Sequence, residues 1–359
     1  MSKSLLYDYS LPELTSLLAQ WGEPAYRARQ IWQGFYCNFW NSTKEFTTLP
    51  VDLHRKLDDF FVFTPLIPSA TLISLDGETI KTQFALSDGK AIETVLMKYD
   101  PRAGIWQGQK PGVGQGRRTI CISTQAGCAM GCVFCATGQM GFKRHLSTGE
   151  IVAQVMYYAR LLHEQREVVT NVVVMGMGEP FHNYDHTMGA IDRLNDPVGY
   201  NFGARRFTIS TVGLIPAIRR FTAEKRQVNL AISLHAANDE MRSSMLPINK
   251  RYPLDDLLES CRDYIAATSR RITFEWALIN GITDTPEQAH LLAGKLKGML
   301  CHVNAIPLNP TEGYSGKVTT RSRANEFKEI LTRSGIPCTI RLRRGIDIAA
   351  GCGQLASKQ

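Results

Sequence analysis

Residues 121–135 read Cys121-Ile-Ser-Thr-Gln-Ala-Gly-Cys128-Ala-Met-Gly-Cys132-Val-Phe-Cys135. Cys128, Cys132 and Cys135 follow a C-x3-C-x2-C spacing, and Gly127 and Gly131 mark the run as a loop. Three thiolates on one tight loop can hold three corners of a cubic iron–sulfur cluster and leave the fourth iron without a protein ligand. An open iron can bind a small chelating molecule and pass it an electron. A zinc site would want four ligands, usually as two separated pairs. Cys121 has no paired partner upstream, and His145 has no second ligand at knuckle spacing downstream. Three structural thiols are the remaining reading, since free cysteine is a common core residue, but a core strand would not interrupt itself with glycines. The cluster reading is therefore preferred over zinc.

Outward from this loop the pattern is strand then helix, repeated. Short apolar runs mark strands at 118–124, 171–175, 206–210, 228–233, 272–278, 302–307 and 337–341, and helical periodicity fits 148–164, 254–267, 286–299 and 321–333. Such alternation means parallel βαβ units. About six units fall short of a closed eight-fold barrel, so the expectation is an α/β fold with an open, partial barrel, its ligand site at the carboxyl ends of the strands. Before it, 1–62 reads as helical, with Ser10 as a cap. Alternating runs at 70–74, 79–86 and 91–98 read as antiparallel strands. Residues 101–116 form a glycine-rich loop. Its Gly112-x-Gly114-x-Gly116 resembles a phosphate loop only superficially, because it precedes a strand instead of following one.

The strand ends carry the polar chemistry. The run Gly176-Met-Gly-Glu-Pro180 offers the Glu179 carboxylate after small residues that let a ligand approach the backbone. Later strands end in Ser210-Thr-Val-Gly213, Ser233-Leu-His235 and Asn309-Pro310, each with a neutral hydrogen-bonding side chain. Any one alone would read as a helix cap; four on successive strands after a cysteine triad form a pattern. Near the C-terminus Cys352 lies between Gly351 and Gly353, after Arg341, Arg343 and Arg344. Glycines give it mobile backbone, and nearby cations can lower a thiol pKa.

Taken with Phe134 before the last cysteine, the set Gly-Met-Gly-Glu-Pro, Ser-Thr-Val-Gly, Ser-Leu-His, Pro-Leu-Asn-Pro and Ala-Gly-Cys-Gly-Gln-Leu resembles the RlmN/Cfr family, radical S-adenosylmethionine (SAM) enzymes that methylate an adenine ring carbon in RNA. The resemblance covers nearly the whole chain. It implies a partial (β/α)6 radical SAM barrel at 117–345, a helical RNA-binding accessory domain at 1–62, a strand-rich extension at 63–116 and a reactive tail at 346–359. It also implies that Cys128, Cys132 and Cys135 hold one 4Fe–4S cluster, and that Gly178, Glu179, Ser210, Ser233, Leu234, His235 and Asn309 contact SAM, two molecules per turnover. Cys352 would carry the methyl group, Cys121 would release the product through a transient disulfide with Cys352, and Glu93 would be a proton acceptor. The implied partners are 23S rRNA, tRNA and a flavodoxin-like or other low-potential electron donor. Cys37, Cys261, Cys301 and Cys338 read as core thiols.

Bulk properties agree with a globular protein acting on an anionic partner. The 359 residues are 44% hydrophobic and 21% charged, with a formal net charge of +8. The positive charge recurs as pairs, such as Arg117-Arg118, Lys143-Arg144, Arg219-Arg220 and Arg343-Arg344, which would form a phosphate-binding rim. Phe142, Tyr200 and Phe202 are candidates for stacking on an extruded base. The first residues lack the apolar run of a secretory signal, no run is long enough for a membrane span, and free thiols suit a reducing cytoplasm. Carbon-2 methylation is the favoured activity. Carbon-8 methylation, as in the antibiotic-resistance branch of the family, is its close rival, and a zinc-bearing RNA-binding protein is the alternative outside enzymes.

Overall fold

The computed structural model describes residues 3–99 and 116–356. Most of the glycine-rich loop expected at 101–116 therefore lies outside the described residues. Ten strands form one sheet whose spatial order follows the chain: β1 (Ile67–Ile73), β2 (Thr79–Ala85), β3 (Ala91–Tyr99), β4 (Arg117–Cys121), β5 (Asn171–Val174), β6 (Phe207–Thr211), β7 (Asn229–Ser233), β8 (Ile272–Leu278), β9 (Cys301–Pro307) and β10 (Cys338–Ile340). From β1 to β4 the pairing is antiparallel, and from β4 to β10 it is parallel. The strand-rich extension is thus an edge of the barrel sheet and not a separate layer. Its β2 and β3 are buried along much of their length, while β1 is exposed throughout.

The parallel strands are fully buried apolar runs such as Val172, Val173 and Val174, as expected of a sheet covered by helices. The crossover helix Thr148–Glu164 starts at a capping box, in which the Ser147 hydroxyl accepts the Glu150 N–H and the Glu150 carboxylate accepts the Ser147 N–H. Ser10 and Glu13 make the same box at the first N-terminal helix, Leu11–Gln20. The N-terminal helices Tyr26–Tyr36 and Val51–Phe60 share one contiguous hydrophobic cluster with the barrel, through residues such as Trp32, Phe35 and Leu57. The Asp8 carboxylate accepts the Gly149 N–H at 2.6 Å and fixes this unit to the start of the first crossover helix.

Beyond β4 a short hairpin pairs Gln125–Gly127 with Phe142–His145. It closes the base of the cysteine loop, so residues 128–141 must arch over the barrel mouth. Gly127 sits at φ +73°, and a Cβ there would run into the Gly141 carbonyl oxygen. A Gly127→Ala change combines a left-handed backbone with a backbone clash. It should cost about 1–3 kcal/mol, read as a lower denaturant midpoint together with reduced iron and sulfide content after anaerobic reconstitution.

Candidate active site

An open cavity at the carboxyl ends of the parallel strands is lined by Cys128, Cys132 and Cys135, and opposite them by Gly178, Glu179, Ser210, Ser233, His235 and Asn309. It holds about 1080 Å³ of space between atoms, its mouth included, which is of the order that takes a drug-sized ligand. Burial pushes the Cys128 thiol up to about 12 and the Cys132 thiol well above its ordinary value. A bound metal would displace those protons and hold the thiolates. A cubane takes one thiolate on each of three irons and leaves the fourth open, and three cysteines on one wall of an open cavity fit that need.

Glu179 is 3% exposed, and its two carboxylate oxygens accept the backbone N–H groups of Phe181 and Val212, each at 3.0 Å. Burial pushes this carboxyl up to about 7 against those donors. The described residues give it N–H groups and no ion pair, so a cationic ligand group would complete it. Gly178, at φ +100°, brings the chain so close to Gln125 that a Cβ would collide with that side chain. The Ser210 and Ser233 hydroxyls lie 3.1 Å apart on adjacent strands. Asn309 donates to the Cys352 carbonyl at 3.0 Å, while its own side-chain oxygen is buried without a partner. Such an orphaned acceptor at a cavity wall calls for a ligand donor.

His235 is neutral: burial brings its pKa down to about 3, and its Nδ1 accepts the Ala277 N–H at 3.0 Å, which leaves the proton on Nε2. Leu234 stands behind the site. Its side chain belongs to the core, and its carbonyl accepts from Arg242 at 3.1 Å.

The tail folds back over the barrel mouth. Ala136, next to the triad, donates its N–H to the Gly353 carbonyl at 2.8 Å, and Thr137 donates to the Leu355 carbonyl at 2.6 Å. Cys352 lines the main cavity and also a smaller one, whose walls include Cys121, Met97, Tyr99, Arg341 and Arg344. Cys352 is exposed, with protein packed around it on the sides of both cavities. That enclosure pushes its thiol up to about 11, with the Arg341 guanidinium pulling it back. Burial likewise pushes Cys121 up to about 12. Glu93 lies behind the tail, in a third cavity, bound to Lys81 and to the Ala356 N–H.

Several positioning residues escape a sequence reading. Arg242 is fully buried and donates to the carbonyls of Val212 (2.6 Å), Leu234 and Ser233 (3.3 Å), so one side chain ties the ends of β6 and β7 together. The Gln125 side-chain oxygen accepts the Glu179 N–H at 2.9 Å, and its nitrogen reaches the Nδ1 atoms of His145 and His182. Glu275 lines the cavity, is raised by burial, and accepts from Asn304 at 2.7 Å. Only its place in a strand after Ser233 hinted at it.

Other expectations change. Cys37 is exposed, and its thiol donates to the Gly199 carbonyl, because it caps a helix end at the surface instead of entering the core. Tyr200 and Phe202 stack on each other, and Tyr200 meets Phe39, so they join the N-terminal helices to the barrel. Phe142 remains exposed, beside His145 and His182. The basic pairs are partly neutralised: Arg118 binds Glu167, Arg144 binds Glu150 and Asp88, and Arg220 binds Asp185.

The description "Radical SAM superfamily" fits residues 122–293. The chain is 47% identical over 350 residues to the dual-specificity RNA methyltransferase RlmN 1 of Myxococcus xanthus, covering 98% of this chain and 93% of that protein. It is 44% identical to the ribosomal RNA large subunit methyltransferase N of Nitrosopumilus maritimus, with 98% and 97% covered. The crystal structure of a radical SAM methyltransferase from Sphaerobacter thermophilus superposes with a TM-score of 0.92 at 48% identity, covering 98% of this chain and 99% of that one. Among the described residues no helix is long and apolar enough to cross a membrane. With a triad, cavity and tail of this form, and similarity at this level along its length, the chain belongs to the RlmN family within the radical SAM superfamily.

Proposed function

We propose that this protein methylates carbon 2 of an adenosine in 23S rRNA and of the adenosine beside the anticodon in tRNA, through a cysteine that carries the methyl group. The observation that carries this reading is the position of Cys352, which lines both the cavity of the triad and the smaller cavity that holds Cys121. Cys128, Cys132 and Cys135 would hold a 4Fe–4S cluster, and Gly178, Glu179, Ser210, Ser233, His235 and Asn309 would hold SAM, Glu179 through the ammonium group. When bound, the cluster supplies an electron from a flavodoxin-like donor, and SAM, two molecules per turnover, supplies the methyl group and the radical chemistry.

The chain's own residues do the rest. Cys352 acts as the nucleophile that receives the methyl group, and Arg341 beside it favours the thiolate. The adenine would enter the smaller cavity, where the Arg341 cation suits a phosphate; Arg344 is paired with Glu78 and lies over the Tyr99 ring, so it shapes the wall of that cavity. Cys121, on the same cavity wall, would attack the Cys352 sulfur as a thiolate; the S–S bond forms as the bond from that sulfur to the transferred carbon breaks, and the electron pair leaves with that carbon, which takes up a proton to become the methyl group of the product. Glu93, whose oxygens are engaged by Lys81 and the Ala356 N–H, would be the proton acceptor.

Three outcomes test this. Nucleoside mass spectrometry of rRNA and tRNA from a deficient strain carrying this gene should show 2-methyladenosine; 8-methyladenosine would move the protein to the carbon-8 branch. Cys121→Ala should stop at a covalent protein–RNA adduct visible on denaturing gels, whereas free enzyme with normal turnover would argue against the relay. Glu179→Gln removes the charge facing the SAM ammonium, a loss of about 1.5–3 kcal/mol. SAM binding to the reconstituted protein should therefore weaken about ten- to a hundredfold with the cluster's absorption spectrum unchanged.

A further inference from the structure

Lys81 on β2 and Glu93 on β3 are diagonal neighbours, since Lys81 pairs with Val95 and Glu93 with Gln83. Both are buried, and Lys81 Nζ lies 3.1 Å from Glu93 Oε1. Each partner also holds the tail. Lys81 Nζ donates to the Ala349 carbonyl at 3.2 Å, and Glu93 Oε2 accepts the Ala356 N–H at 2.9 Å. One ion pair therefore ties down the chain on both sides of Cys352. Buried ion pairs seldom add stability over an apolar pair of similar volume, so stability alone does not account for this one. What an apolar pair could not supply is the two hydrogen bonds to tail backbone.

Between the anchors the tail has the means to turn. Ala349 adopts φ +50° and Gly353 φ +83°, and Gly351 adjoins the cysteine. The arc itself is held by hydrogen bonds from Asn309 to Cys352, from Ala136 to Gly353, from Thr137 to Leu355 and from Gln354 to Pro310, with the Leu355 side chain buried in the core. Cys352 has two cavities to serve, and the ends of its segment are fixed to the sheet edge.

We infer that the Lys81–Glu93 pair is a positioning clamp, holding Ala349 and Ala356 so that the arc 350–355 presents Cys352 to the SAM cavity and lets it turn toward Cys121 without the tail leaving the barrel. The inference rests on the reading of Cys352 as the methyl carrier. A displacement of about 1 Å of a reacting group can cost about a hundredfold in rate, so releasing either anchor acts on transfer to Cys352. The cavity residues that bind and cleave SAM are untouched by it.

The test uses anaerobically reconstituted holoenzyme without RNA. Methylation of Cys352 is followed by peptide mass spectrometry, and reductive release of 5′-deoxyadenosine is followed in parallel. Lys81→Met opens one anchor and the ion pair. Ala356→Pro removes the other anchor's N–H at a half-buried position near the end of the described chain, far in sequence from the sheet that carries the ion pair, and a thermal melt equal to wild type separates clamping from folding. Each should slow methylation of Cys352 by about tenfold or more, with 5′-deoxyadenosine release within about twofold of wild type, and Lys81→Arg should restore methylation. Wild-type methylation rates in both weakened variants would overturn the clamp, as would a parallel fall of both rates in Ala356→Pro. Absence of methyl on Cys352 in the wild-type protein would instead overturn the carrier reading itself.

Discussion

Parallel pairing in chain order, from β4 through β10, constrains everything at the active site. Each crossover returns the chain to the same end of the sheet, so every strand delivers its carboxyl end to one rim. Strand ends leave carbonyls that must find donors away from water. Arg242 meets that need with its guanidinium, reaching Val212, Ser233, Leu234 and the Asn249 side chain. Burial lowers it only to about 10, so it stays charged at neutral pH. The same charge acts on the Cys132 thiol against desolvation. A residue that holds the rim together thus also favours the thiolate that a cluster needs.

The strands and the ligand-bearing segments were legible because their signals are local. The run Val172-Val173-Val174 is apolar and β-branched and leads into Gly176 and Gly178, and the cysteine spacing is itself a geometry. What stayed illegible depends on tertiary neighbours. Nothing in Asp239–Met245 marks Arg242 as buried, and a lysine in Thr79–Ala85 reads as a solvent-facing strand residue until the tail covers it. Glu93 carried the same ambiguity in reverse: an exposed strand carboxylate by pattern, a buried one with two partners in the fold. The basic pairs were legible only in part for a related reason, since sequence shows a charge but not the Glu167 or Glu150 that neutralises Arg118 or Arg144.

The place of the Cys352 thiol on the walls of both cavities gives the proposed chemistry its order. Carbon 2 of adenine and the methyl of SAM are both electrophilic, so neither attacks the other in a two-electron step, and a sulfur between them removes the mismatch. The relay is exposed to one fault: a peroxide-type oxidant reaching the small cavity would take two electrons from Cys352 and Cys121 and join them as a disulfide before any methyl transfer. The thiolate, not the thiol, is the form that reacts with such an oxidant. With Cys352 pushed up to about 11 and Cys121 to about 12, mainly by burial, both thiols hold their protons at neutral pH while the cavity is closed. Arg341 opposes burial at both sulfurs, so the balance at each thiol is set by how the tail packs over that guanidinium. Moving the tail would change the enclosure of Cys352 and Cys121 together, which would couple the reactivity of the pair to the segment proposed to deliver the methyl group.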